Sequence, residues 1–320
     1  MRRYRYIHLD VFTEHLFGGN QLAVFVEADG LSADLMQSIA KEMNFSESTF
    51  VLPPERPDTD IRLRIFTPAD ELPMAGHPTI GTAFALAHCG RIASGQAQTV
   101  FEEGIGPVTV ALEWRAALSF AWMTQRLPMF GPRLERTELA ARAIGLAADA
   151  LMPGLPVEQV SCGVPFLFVP LSSRAAVDRA EADGQAMREL ARAMGREKVE
   201  VFLFSTEAGK DEATAYSRMF APGLGITEDP ATGSASGPLG AYLVTHGVVR
   251  SERARSIVSL QGVRMGRPSH LHIDIGVAAD GRTITHVKVG GQAVVAGEGE
   301  LYIAENGSGP GIRGQGSEKT

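Results

Sequence analysis

The sequence carries one passage twice. RIFTP at 64–68 leads into AGHPTIGTAFALAHCG at 75–90, and RMFAP at 218–222 leads into TGSASGPLGAYLVTHG at 232–247. Gly76, Leu86 and Gly90 meet Gly233, Leu243 and Gly247 at one constant offset, with a few extra residues after Pro222 as the only length difference. Each copy reads as strand, turn, glycine, then a helix closed by a glycine at C′. A duplicated chain folds as two similar halves, and 320 residues suit two domains at roughly 100–200 residues each.

Both repeated helices are apolar nearly all round, through Ile80, Ala83, Phe84, Leu86 and Ala87 in one and Leu239, Ala241, Tyr242, Leu243 and Val244 in the other. A helix without a polar face is buried, so each is expected at the centre of its half. Short alternating segments surround them: IRLRIF, QAQTVFEEG, GPVTVALEW, ALSFAWMT, KVEVFLFS, HLHIDIGV and HVKVGGQAVVA. These read as strands separated by glycine turns. SADLMQSIAKEM reads as an amphipathic helix with Leu35, Ile39 and Met43 on one face and Ser32 as N-cap, and GQAMRELARAM near 184–194 as its counterpart. PMFGPRLERTEL at 128–139, with two prolines and no strand pattern, is read as the crossover. The expected fold is α+β, with two pseudo-twofold-related halves, each a curved, mainly antiparallel sheet around a buried helix. The first half spans 1–127 and is joined by a C-terminal strand near 293–303; the second spans 128–292, and 304–320 is read as a flexible tail.

Composition narrows the function. A net charge of −7 implies no broad basic surface, which argues against nucleic acid as a partner. The start alternates like a strand and lacks the apolar core of a signal peptide, and no apolar run spans a bilayer, so no membrane role is expected. Cys89 and Cys162 have no metal-type spacing, which suggests a reduced, cytoplasmic setting. His270, His272 and Asp274 share a strand face at a spacing metals can use, but a polar outer face opposite Leu271, Ile273 and Ile275 explains them more simply. Ser234, His77 and Asp229 make a Ser/His/Asp set on paper, yet GSASG puts Ala235 where a nucleophile elbow needs serine. EDPATGSASG at 228–237 opens the second helix with small residues, which suits either capping or an anion at bare amides. If both helix starts enter one cleft, Gly76–His77 and Gly233–Ser234 form opposite walls of a carboxylate site.

NFSEST (44–49), ELPMAGHPT (71–79) and EDPATGSA (228–235), with FGGNQLAVFV (17–26) upstream, resemble the PhzF-like phenazine biosynthesis family. The resemblance covers the chain to about residue 303 and implies the diaminopimelate epimerase fold. It also implies a site between the halves, no metal or organic cofactor, a small carboxylic acid substrate and a homodimer. It places the acid/base glutamate at Glu47, the site histidine at His77 and the site aspartate at Asp229. Gly233, Ser234 and Gly76 fall where the family offers amides and a hydroxyl to the substrate carboxylate. The family's reaction isomerises a dihydro-hydroxyanthranilate. Racemases of this fold carry a cysteine before each glycine; here those positions are Ala75 and Thr232, which disfavours a two-thiol mechanism.

Each candidate also has a plainer reading. Glu47 suits a solvated acid at a turn, or a proton shuttle whose pKa Phe45 and Phe50 raise by desolvation. His77 suits a capping histidine or a neutral hydrogen-bonding partner at a helix start. Asp229 suits a turn former before Pro230. Asn20, after Gly18 and Gly19, reads first as a turn residue and is carried as a further substrate-binding candidate. An epimerase-like proton transfer and a non-catalytic acid-binding protein remain the alternatives to the isomerase.

Overall fold

The structure, a computed structural model, describes residues 1–303, so the tail expected over 304–320 lies outside the described residues. The first part of the chain runs β1 (Arg2–Val11), β2 (Asn20–Phe25), α1 (Ala33–Met43), β3 (Glu47–Leu52), β4 (Ile61–Phe66), β5 (Glu71–Leu72), α2 (Gly76–His88), β6 (Gln98–Glu103), β7 (Gly106–Trp114) and β8 (Leu118–Gln125). Next come β9 (Met129–Arg133), α3 (Thr137–Ala143), β10 (Glu158–Ser161), β11 (Pro165–Pro170), α4 (Arg174–Arg179), α5 (Gly184–Ala193) and β12 (Val201–Ser205). The chain then continues through β13 (Ala215–Ala221), β14 (Ile226–Asp229), α6 (Gly233–Thr245), β15 (Ile257–Gln261), β16 (Ser269–Val277), β17 (Ile284–Gly291) and β18 (Ala293–Ile303).

The same ladder recurs in both halves. β2–β3 and β4–β6 are parallel, while β3–β4, β6–β7 and β7–β8 are antiparallel. β11–β12 and β13–β15 repeat the parallel pairs, and β12–β13, β15–β16 and β16–β17 repeat the antiparallel ones. Parallel neighbours need a long crossover, and α1, α2, α5 and α6 lie in the four connections that require one. The ladders join where β8 pairs antiparallel with β17, Met123 opposite Val289. β18 returns antiparallel beside β1, with Val11 opposite Ala293.

α2 and α6 are the buried centres. Ile80, Ala83 and Leu86 pack against Leu9, Leu22, Phe101 and Val110; Leu239, Tyr242 and Leu243 pack against Phe168, Phe204, Ile273 and Ile275. Full burial of each large apolar side chain contributes about 1.5–3 kcal/mol, which is why an all-apolar helix takes the middle. Both end as the repeat predicts, on Gly90 and Gly247 at φ +76° and +69°. Ser32 caps α1, its Oγ accepting from Leu35 N at 3.3 Å, and Asp183 caps α5. The buried face of α1 centres on Met36, Ile39 and Ala40, one residue round from the expected stripe, leaving Leu35 and Met43 at its margin.

The repeat runs deeper than its glycines. Arg64 forms a bidentate pair with Glu71 at 2.7 and 2.6 Å, and Arg218 forms one with Glu228 at 2.8 Å on both arms. Each guanidinium also lies over a ring of its own strand, Phe66 or Phe220. These ties fix the turn entering each central helix. One expectation fails: residues 129–133 of the supposed crossover form β9, paired with β10 at the edge of the second half's sheet. An edge strand tolerates Pro128 and Pro132, which is why its pattern is hard to see in sequence.

Candidate active site

The two central helices meet at their first residues. Neither the Ala75 nor the Thr232 side chain caps its helix, so the amides of the first turns are left for other partners. A Cβ on Gly76 would stand 2.5 Å from Gly233 Cα and 2.7 Å from Ser234 N. The expectation of Gly76 and Gly233 as opposite walls of a gap is therefore corrected. They touch, because neither has a side chain, and no gap lies between the two glycines.

Around this contact the structure gathers the sequence candidates from both halves. Asn20, at the start of β2, is no turn residue. Its Nδ2 donates to Asp229 Oδ1 at 2.7 Å and lies 3.1 Å from both Ala231 O and His77 Nδ1. One buried amide thus ties the first half to the second. Thr232 Oγ1 donates to Asp229 Oδ2 at 2.6 Å, and Ser46 also donates to this carboxylate. Glu47, first residue of β3, places Oε2 3.4 Å from His77 Nε2 without forming a hydrogen bond. Both atoms are buried and have no hydrogen-bond partner among the described residues. Ser234 is half-buried at the second position of α6.

Electrostatics separate the three titratable groups. Burial holds His77 neutral by lowering its pKa to about 3, opposed by a hydrogen bond to the Gln21 backbone. Burial raises Glu47 well above the ordinary carboxylate range, and the Asp229 charge adds to the shift. Burial also pushes Asp229 up to about 6, but the donors Thr232, Asn20 and Ser46 pull it down. The donors favour ionised Asp229, whereas Glu47, without a donor, has a proton affinity raised by burial that suits acid–base work.

Two supporting elements were not apparent in the sequence. Gln261, at the end of β15, donates from Nε2 to Asp229 O at 2.7 Å and Thr232 Oγ1 at 3.0 Å, while its Oε1 accepts from Thr232 N at 3.0 Å. Arg267 donates to buried Asp10 at 2.5 Å and to the carbonyls of Gly18 and Gly19, fixing the turn before Asn20 across the two halves. Neither residue belongs to a motif, and only the register of distant strands could have pointed to them. His286 takes Asp274 at 2.9 Å, His270 is exposed, and among the described residues no group of three or more His, Cys, Asp or Glu is placed to hold a metal. Burial pushes the Cys162 thiol up to about 12, the opposite of what a catalytic thiolate needs. Among the described residues no helix is long and apolar enough to cross a membrane.

Comparison with known proteins identifies the family. The profile of the PhzC-PhzF family, phenazine biosynthesis-like proteins, matches residues 9–299. Trans-2,3-dihydro-3-hydroxyanthranilate isomerase of Pseudomonas aeruginosa is 37% identical over 301 residues, covering 94% of this chain and all of the relative. The crystal structure of a PhzF-family phenazine biosynthesis protein from Bacillus anthracis superposes with a TM-score of 0.84 at 26% identity, covering 95% of this chain and all of the other. A hydroxyproline epimerase from Agrobacterium vitis shares the fold alone, with a TM-score of 0.61 at 13% identity over 94% of this chain and 92% of its own. The chain belongs to the PhzC-PhzF family of phenazine biosynthesis-like proteins and is an isomerase of that type, built on the diaminopimelate epimerase fold.

Proposed function

We propose that this enzyme isomerises trans-2,3-dihydro-3-hydroxyanthranilate, or a closely similar unsaturated ring acid, by moving one proton with Glu47 as the acid/base. The observation that carries this reading is the pair of buried, unpartnered atoms, Glu47 Oε2 and His77 Nε2, facing each other at 3.4 Å beside the helix starts. The name of the 37% identical relative supplies the substrate class.

In this scheme the substrate carboxylate takes the free amides at the first turns of α2 and α6 and the Ser234 hydroxyl, with the positive ends of both helices behind it. Neutral His77 and anionic Asp229 hold the amino and hydroxyl groups. The Glu47 carboxylate removes a proton from an sp3 ring carbon, and the electron pair moves through the adjoining double bonds. The resulting carboxylic acid then returns the proton to a different ring carbon. Only one proton and the double bonds change place, so the reaction balances without oxidant, reductant or cofactor. A carboxyl raised by burial suits both steps, because its carboxylate is a stronger base than a solvated one and its acid form can return the proton. Ala75 and Thr232 at the helix caps leave no thiol for the alternative two-base racemisation.

The test is turnover of trans-2,3-dihydro-3-hydroxyanthranilate in D2O, followed by NMR. Loss of the substrate ring signals with growth of an isomer of the same mass, or of that mass plus deuterium at the reprotonated carbon, supports the reading. An unchanged substrate, across a panel of amino- and hydroxy-substituted dihydrobenzoates, would refute it.

A further inference from the structure

Glu103, the last residue of β6, is a buried carboxyl that the reaction above does not use. Its Oε1 lies 2.6 Å from Thr79 Oγ1, and that hydroxyl lies 2.6 Å from the carbonyl of Ala75, the residue before Gly76. Its Oε2 has no hydrogen-bond partner among the described residues. A threonine hydroxyl has one proton. It cannot donate at once to a carbonyl and to a carboxylate, so two short contacts need a second proton, and the carboxyl is the group that can carry it.

The repeat shows where the hydroxyl's own proton goes. The offset that matches Gly76 to Gly233 matches Thr79 to Ser236, and Ser236 Oγ donates to Thr232 O, the equivalent of Ala75 O, at 3.0 Å. The repeat also identifies the counterpart of Glu103. Arg62 stands opposite Glu102 in the parallel β4–β6 pair, and Tyr216 stands opposite Leu260 in the equivalent β13–β15 pair. One residue on, Glu103 falls on Gln261. That glutamine anchors the start of α6 through the Thr232 amide and hydroxyl. A carboxyl in one half and an amide in the other occupy the same place, one against Thr79 and the other against Thr232.

We propose that Glu103 is a protonated positioning residue. Its O–H donates to Thr79 Oγ1, Thr79 donates to the Ala75 carbonyl, and this chain fixes the Ala75–Gly76–His77 turn as Gln261 fixes Thr232–Gly233–Ser234. The neighbouring charges are already committed: Arg64 to Glu71, Arg62 to Glu55, and Glu102 to the Glu55 and Arg56 amides. Burial pushes Glu103 up to about 8, against the Thr79 hydrogen bond that lowers it. Loss of the proton above that pH puts a carboxylate against a hydroxyl already engaged with Ala75 O, and the turn that presents His77 loosens.

The decisive variant is Glu103→Gln, which copies the second half. The native carboxyl binds its proton more tightly than the unfolded one, so it favours the fold at low pH. Wild type should then lose stability, relative to the variant, as pH rises from about 4.5 to about 8. Infrared difference spectra at pH 7 should show a protonated carboxyl stretch in wild type that Glu103→Gln lacks. With trans-2,3-dihydro-3-hydroxyanthranilate as probe, the ratio of kcat/KM at pH 9 to that at pH 7 should be at least about threefold higher in the variant, an arm that also rests on the proposed reaction. If neither protein turns the probe over, the proposed reaction fails and the spectra and stability curves still decide on Glu103. Parallel stability curves, no protonated carboxyl stretch, or a Glu103→Gln chain that does not fold would overturn the proposal.

Discussion

Gly76→Ala tests whether the site depends on the contact between the two helix starts. The added Cβ would meet Gly233 Cα at 2.5 Å, Gly233 C at 2.6 Å and Ser234 N at 2.7 Å, all backbone atoms. Ordinary contact begins near 3.4 Å, so the helix starts must part by about 1 Å. No flexible side chain can yield instead. Overpacking of this kind costs about 1–3 kcal/mol, and a displacement of about 1 Å at a reacting centre costs on the order of 10²-fold in rate. Gly90→Ala is the matched control. It has open space around it but φ +76°, so it carries about 1–2 kcal/mol of left-handed strain and no steric clash at the site. Urea denaturation should show a comparable loss of stability in both variants, while initial rates should fall about 10²-fold only in Gly76→Ala. Equal rates in the two, at comparable stability, would refute the argument that the glycine contact sets the geometry.

Two further outcomes follow from individual contacts. Asp229 and Glu47 are both needed as carboxylates and burial raises both, Asp229 to about 6, so kcat/KM should fall as pH drops through the acid limb of this pair; Thr232→Val removes a donor to the Asp229 anion and should move this limb to higher pH, and a limb that stays put or moves down would contradict the assignment. Ser32→Ala removes the α1 cap and should cost about 1 kcal/mol in urea denaturation with no change in rate; an unchanged midpoint would show that the cap contributes nothing.

The duplicated passages made the architecture legible because both central helices are apolar on every side and end on left-handed glycines. Those features depend on single positions and survive divergence. Glu47, His77 and Asp229 stand in short motifs of the family resemblance, and the fold brings the three side chains together through Asn20 and the Glu47–His77 approach. Asn20 was misread because Gly18–Gly19 looks like an ordinary turn, whereas its amide reaches a carboxylate 209 positions away. Gln261 and Glu103 were silent for a related reason: each acts at a strand end, and only pairing with β13 or β4 brings it to a helix start. The Arg64–Glu71 and Arg218–Glu228 pairs escaped notice because the extra residues after Pro222 shift one partner of the second pair. β9 was hidden by the prolines that an edge strand can accept.

The central claim is that Glu47 moves the proton, and Glu47→Gln tests it most directly. The amide keeps the shape beside His77 but cannot accept a proton from carbon. General acid–base catalysis contributes about 10²–10⁴-fold, and removal of the group that carries the transferred proton is expected to reach or exceed the upper end of that range. The account predicts that Glu47→Gln folds, binds 3-hydroxyanthranilate with wild-type affinity by calorimetry, and turns trans-2,3-dihydro-3-hydroxyanthranilate over at least about 10⁴-fold more slowly. A folded Glu47→Gln enzyme that binds normally and isomerises within tenfold of wild type would contradict it.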